Sequence, residues 1–472
     1  MALLKNFTIA DWALALGVFT ITYTLWLVIY RLWLSPIAGF PGAFWPKVTF
    51  WYEFYYEWVQ PGQYYRRIND MHKEYGPIIR VSPDEIHILD PSFYDELYAP
   101  HKARRANAYN RYAQGTGFED LFALMAPHEA HKYLRDSAEK LYSKVAAHEA
   151  LVMDCVKSFC GRLDHERDAN EPLNISHACL SLSIDVITAT TFQHPSDYLK
   201  HPDFNKELLE IQRSGLVYVP LFAHLPWMAR LFSSPLIEYL SSRVPKLREW
   251  DEVIQQNGIH HTAHTMENVI TYLAMDKRRL KSLKDELAVF WQEHPDQTSS
   301  WFALRKLPYL TACIYEGLRM GASGMKRAPR VFPDDAIRYG EWVIPKETPI
   351  SMTIYYMHMD PIAFPDPEKF DPERWLNADP DGLMLSQFVP FGRGPRDCVG
   401  KNIAWMQLYF ALSQLYRPGG PDIELFESDD TDVRLVHGYV FPQPRLDSPG
   451  VRVLIHNHPR RQDEEDTMTN SV

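Results

Sequence analysis

Residues 391–400 read "FGRGPRDCVG": three glycines, two arginines and one proline gathered around a single cysteine, Cys398. An apolar-periodic stretch follows at once, "KNIAWMQLYFALSQLY" (401–416), which predicts a helix. A free cysteine is ordinarily a small buried hydrophobe. This one stands where a helix begins, and there backbone N–H groups and the helix dipole favour a thiolate. Gly392, Gly394 and Gly400 let the backbone approach something bulky and flat without Cβ clashes. Arg396 adds a positive charge that can meet an anionic group.

The rest of the chain sets the context. Its 472 residues are 46% apolar and 23% charged, a globular composition, and the net charge of -11 argues against nucleic acid as a partner. The five cysteines (Cys155, Cys160, Cys179, Cys313, Cys398) are odd in number and without a repeated spacing. A disulfide framework is therefore not expected, and a reducing compartment is. From Trp12 to Tyr30 there is no charged residue. At about 1.5 Å per residue that run nearly spans a hydrocarbon core of about 30 Å. Its Trp- and Tyr-bearing ends favour a membrane span over a buried core helix. Residues 1–34 are read as an anchor, 35–456 as the globular body and 457–472 as a polar tail. "PGQYYRRINDMHKEYG" (61–76) and residues 127–163 carry helical spacing, and "PIIRVSPDEIHIL" (77–89) predicts a strand pair. The proline-rich stretch 363–396 reads as a long ordered loop. A thiolate ligand to an iron porphyrin would draw on every feature of the 391–400 stretch.

That stretch resembles the haem-binding signature of the cytochromes P450, Phe-x-x-Gly-x-Arg-x-Cys-x-Gly, through Phe391, Gly394, Arg396, Cys398 and Gly400. Two more matches stand in the family's order. "YEGLR" supplies Glu316 and Arg319, one helical turn apart, and "FDPERW" supplies Arg374, which the resemblance joins to them in a buried cluster. Taken alone, Glu316 and Arg319 could equally form a solvated surface pair. The amino-terminal region looks like that of fungal microsomal members acting in secondary metabolism. The resemblance implies a mainly α fold with a small β portion, preceded by one transmembrane helix. It implies haem b on Cys398, electrons from NADPH through cytochrome P450 reductase, and monooxygenation of a small molecule. It places the protein in the endoplasmic reticulum membrane, single-pass, with the body facing the cytosol. Phe391, Gly392, Arg396 and Gly400 are expected around the haem. His131 and Arg135 in "HKYLR", with Arg330 in "KRAPRV", take the place of partners of the haem propionates; an ordinary surface histidine is the other reading of His131.

One region departs from the family. Its distal helix carries Ala/Gly-Gly-x-Asp/Glu-Thr-Thr/Ser, whose acid and threonine steer protons during oxygen activation. The best match here is "NGIHHTAHTMENVITYLAMD" (257–276). Gly258 fits the glycine, but His260 stands at the acid, His261 at the threonine, and Thr262 matches only the next position. The first turns of the helix look missing near 255–275. A histidine pair could relay protons, or ligate iron. The spacing of His260, His264 and Glu267 also resembles a zinc site, though the Glu expected beside the first histidine is replaced by His261. Two other outcomes stay open: a haem-thiolate isomerase or dehydratase that needs no oxygen, and an impaired haem-binding remnant.

Overall fold

The computed structural model describes residues 8–99, 104–109, 111, 127–142, 145–167, 171–228, 259–294, 300–321, 324–439 and 441–456. The first helix, α1 (Ile9–Ile29), is capped by Thr8 and continues as a π-helical turn, Tyr30–Leu34. Ile9–Leu34 is long and apolar enough to cross a membrane, and none of its most apolar window is buried. Its end is bolted to the body: the fully buried Arg80 donates to the Arg31 carbonyl at 2.7 Å, and Arg31 donates to the Val48 carbonyl at 2.6 Å.

Helix α2 (Tyr64–Tyr75) buries Tyr64, Tyr65, Ile68, Met71 and His72, one face at 3.6-residue spacing, and Gly76 ends it at φ +95°. The expected strand pair follows as antiparallel β1 (Ile78–Arg80) and β2 (Ile86–Ile88). These strands are buried at every position rather than on alternate faces. The expected helical run from 127 forms two helices, α3 (His128–Tyr142) and α4 (Val145–His165). Beyond them come α5 (Ile175–Phe192), α6 (Lys206–His224), α7 (Ile259–Met275), α8 (Lys277–Glu293) and α9 (Pro308–Gly321). Helix α5 is also apolar enough to cross a membrane, but 67% of it is buried, which makes it a core helix.

The short strands β3 (Asn107–Ala108), β4 (Arg330–Val331) and β5 (Pro349–Ser351) join β1 and β2 in a five-stranded sheet, order β1-β2-β5-β4-β3. Helix α10 (Lys401–Leu415) is the helix expected after the cysteine. It packs with α4, α5, α7 and α9 into the largest apolar cluster, while the sheet carries a second one. Helices α7 and α9 meet closely: a Cβ on Gly317 would lie 2.4 Å from Val269 Cγ2. The 363–396 loop contains short helices at Glu373–Leu376 and Leu383–Gln387 and a 3₁₀ turn at Gly394–Arg396. Gly258, the residues immediately before Ile259 and the 457–472 tail lie outside the described residues.

Candidate active site

The cysteine loop is a tight hairpin closed by its own backbone. Gly392 N donates to the Val389 carbonyl at 3.0 Å, and Cys398 N donates to the Phe391 carbonyl at 2.8 Å. Gly392 and Gly394 hold φ of +68° and +79°. A Cβ on Gly394 would sit 2.0 Å from the Tyr98 carbonyl oxygen, so protein backbone, rather than a flat ligand, is what this glycine makes room for. Around Gly400 a Cβ would meet nothing within 4 Å. Phe391 packs on Trp405 of α10, with ring centroids 5.3 Å apart.

Four cysteines are buried and Cys398 is exposed. Yet burial pushes its thiol pKa up, with the Gly400 amide hydrogen bond, Lys401 and Arg135 opposing. Cys398 is thus open to approach although protein surrounds its loop. The burial cost exceeds the help expected from the helix start. Asp397 beside it is pinned by Arg135, which also donates to its carbonyl at 2.8 Å, and by Lys401 at 2.8 Å. Arg135 pairs with Glu139 as well. It therefore steadies the loop.

His131 is 3% exposed, not a surface histidine. Burial, then Arg396, Arg135 and Arg330, push its pKa down to about 4. Burial and then Arg330 lower Arg396 to about 10. The Arg330 guanidinium lies over the Tyr98 ring, 5.2 Å from its centroid, and reaches the Ala328 and Pro329 carbonyls at 3.3 Å. Arg330 and Arg396 thus bring two guanidinium charges together beside the neutral ring of His131, an arrangement that an anionic group stabilises. An exposed thiol with Arg135 and Lys401 near it, on a loop that also carries Arg396, suits an iron porphyrin with its two carboxylates.

Glu316 and Arg319 are fully buried, which excludes the surface pair. The Glu316 carboxylate accepts from Arg319 Nε and a second Arg319 nitrogen, both at 2.8 Å, and from Arg374 Nε at 3.1 Å. It also accepts from Trp375 Nε1 and the Asp371 amide, each at 2.9 Å. Trp375 and Asp371 are members that the motifs do not announce, although Trp375 is the next residue after Arg374.

The histidines of α7 line a cavity of about 370 Å³ between α5, α6, α7 and residues 441–450. His260, His261, His264 and Glu267 face it; Thr262 and Cys398 are not among its described lining residues. His264 Nδ1 pairs with Glu267 at 3.0 Å, and Ser176 donates to the other Glu267 oxygen. Among the described residues, His261 Nε2 and His264 Nε2 are buried without a hydrogen-bond partner. Burial first, then neighbouring histidines, bring His260 to about 3 and His261 to about 4, so both rings are neutral at neutral pH. Among the described residues no group of three or more His, Cys, Asp or Glu could hold a metal ion, which leaves the zinc reading without a ligand set.

The model of the cytochrome P450 family matches residues 45–250 and 252–417. The chain belongs to the cytochrome P450 family. It is 31% identical to the cytochrome P450 monooxygenase oblB of Cochliobolus heterostrophus, over 96% of this chain and 97% of that one. It is 29% identical to the fusicoccadiene C-8 hydroxylase of Phomopsis amygdali (91% and 93% covered), and 30% to the stellatic acid synthase of Emericella variicolor (92% and 93%). The family is one of haem-thiolate monooxygenases with a small-molecule substrate and a redox partner, and this chain is an oxidoreductase of that kind. The family match breaks at residue 251, just upstream of the departing helix. The first of these alignments runs over 512 residues although the chain has 472, so the relative carries residues with no counterpart here.

Proposed function

We propose that Cys398 would hold a haem b through its thiolate, and that the protein monooxygenates a small organic molecule in fungal secondary metabolism. The observation that carries this is the exposed Cys398 at the start of α10, on a loop closed by its own backbone that also carries Arg396. When bound, the haem supplies oxidation of an unactivated carbon by dioxygen. The chain's own residues hold and orient it. His131, Arg330 and Arg396 would meet its carboxylates, Arg135 fixes the loop through Asp397, Phe391, Gly392 and Gly400 would shape the floor, and Glu316, Arg319 and Arg374 keep that floor folded. His260, His261 and Thr262 stand where the family delivers protons. Electrons come from NADPH through cytochrome P450 reductase. Residues 1–34 anchor the protein in the endoplasmic reticulum membrane, single-pass, with the 35–456 body in the cytosol.

Relatives that act on fusicoccadiene and tryptophan by name support a small organic substrate without choosing among classes. The reduced, CO-bound protein should show the red-shifted Soret band of thiolate ligation, and Cys398→Ser should abolish it. Survival of the band in that variant rules Cys398 out. A second reading, an isomerase or dehydratase that needs no oxygen, is favoured by the histidines that replace the acid and threonine. Turnover that continues without NADPH and oxygen would select it.

A further inference from the structure

Arg319 gives two nitrogens to Glu316, but its third terminal group donates to the His358 carbonyl at 2.9 Å. His358 closes the short helix Ile354–His358 and is completely buried. Its ring is walled by Phe388, with centroids 5.8 Å apart, and Phe364, at 6.5 Å. Nε2 of this ring accepts the Val389 backbone N–H at 3.0 Å. The Arg319 backbone also hydrogen-bonds the ring. A neutral imidazole that accepts through Nε2 carries its proton on Nδ1, so one tautomer serves both contacts. Burial and the nearby guanidinium hold the pKa at about 3, which keeps the ring neutral.

Val389 is where the cysteine loop starts. Its carbonyl accepts the Gly392 amide at 3.0 Å, and Phe391, two residues on, accepts the Cys398 amide at 2.8 Å. One imidazole therefore stands between the buried carboxylate–guanidinium cluster and the turn that aims the thiol. Sequence patterns do not reveal it, because His358 belongs to none of the matched motifs.

We propose that His358 is a positioning residue whose imidazole pins Val389, and with it the register of the cysteine loop, to the Glu316–Arg319 pair. This rests on the reading of Cys398 as the haem ligand. Without an acceptor, the Val389 N–H becomes a buried unsatisfied donor. The loop then relieves that cost by shifting, and Cys398 shifts with it.

The test uses the full-length, haem-loaded protein. His358→Phe keeps a ring and removes the acceptor, while His358→Gln puts an amide oxygen near the place of Nε2. The readout is the rate at which the red-shifted ferrous–CO band converts to the blue-shifted band of the displaced or protonated thiolate on mild warming, with far-UV circular dichroism as a folding control. The Phe variant should convert about tenfold faster, the factor that corresponds to losing about 1.4 kcal/mol, and the Gln variant should stay within about threefold of the unsubstituted protein. Equal rates for all three, or a Gln variant as fast as the Phe variant, overturn the proposal. Hydrogen exchange on the unsubstituted protein gives an answer even if the Phe variant does not fold. The Val389 amide should be protected like those of α10, and exchange at loop rates overturns the proposal. A missing thiolate band in the unsubstituted protein sinks the Cys398 reading instead, and leaves the exchange result at Val389 to judge the clamp.

Discussion

The two walls of the proposed haem site are built by opposite rules. On the proximal side the key polar groups are spoken for. Glu316 takes five hydrogen bonds, Asp397 is held by Arg135 and Lys401, and the Cys398 amide is tied to Phe391. On the distal side α7 puts three histidines on a cavity and leaves two ring nitrogens without partners. A buried polar network is stable when its members are satisfied, and a buried polar atom left over costs free energy. The first wall is thus optimised for holding a geometry. The second retains open valences, which suits a place where protons or ligands come and go.

The sharpest break of this comparison is Glu316→Ala. It leaves Arg319 buried and uncompensated, a change of roughly 3–5 kcal/mol. Folding and haem incorporation should fail together, read by soluble yield and haem absorbance. A well-folded, haem-loaded variant with only a changed Michaelis constant would show that the cluster is a substrate site rather than a scaffold.

Next in size is Gly394→Ala. The left-handed backbone alone costs an alanine about 1–2 kcal/mol, and a Cβ 2.0 Å from the Tyr98 carbonyl forces the loop and that backbone apart. The melting temperature should fall and the thiolate band should weaken, whereas Gly400→Ala, with nothing within 4 Å of its Cβ, should leave the fold intact. Equal effects of the two would mean that the loop is not clamped against Tyr98.

These positions also show what can be read from sequence. The cysteine loop, the helix after it, the apolar first helix and the strand pair are local patterns, and each stands where its pattern puts it. The Glu316–Arg319–Arg374 cluster is legible because family motifs mark its members, and the same kind of motif marks Cys398 as the candidate ligand. Tyr98, Trp375 and His358 were not, because a contact between distant segments leaves no spacing to read. The helical run from 127 looked continuous because its apolar periodicity hardly falters, yet α3 ends at Tyr142 and α4 starts at Val145. Arg135 was expected at a propionate from its motif position alone; that it also grips Asp397 depends on a partner far along the chain.

Acid should separate the two walls further. His260 and His261 fold with pKa values near 3 and 4, below the unfolded value of about 6.5. The unfolded chain therefore binds more protons between these limits. Their contribution to stability is complete above about pH 6.5 and is lost as pH falls through 4 toward 3, at no more than about 1.4 kcal/mol per unit per ring. Replacing both histidines with phenylalanine should flatten the acid limb of a denaturation series between pH 6.5 and 4. An unchanged limb would place acid sensitivity elsewhere, with the buried His72 and its partner His87 the next pair to test.

The smallest expected effect is the most informative about chemistry. Neutral rings pass protons by taking one on one nitrogen and releasing another from the second, and the unpartnered Nε2 of His261 is open for that exchange. With His260 and His261 standing where the resemblance puts the family's acid and threonine, coupling of NADPH consumption to product should be low, with the difference recovered as peroxide or superoxide. His261→Ala should lower coupling a few-fold further while leaving the thiolate band unchanged. The pair His260→Asp and His261→Thr restores the family's residues and should raise coupling above the unsubstituted protein. Tight coupling in the unsubstituted protein that survives His261→Ala would show that protons arrive by a route that does not use α7, and that the unpartnered nitrogens of the distal wall serve the cavity rather than the haem.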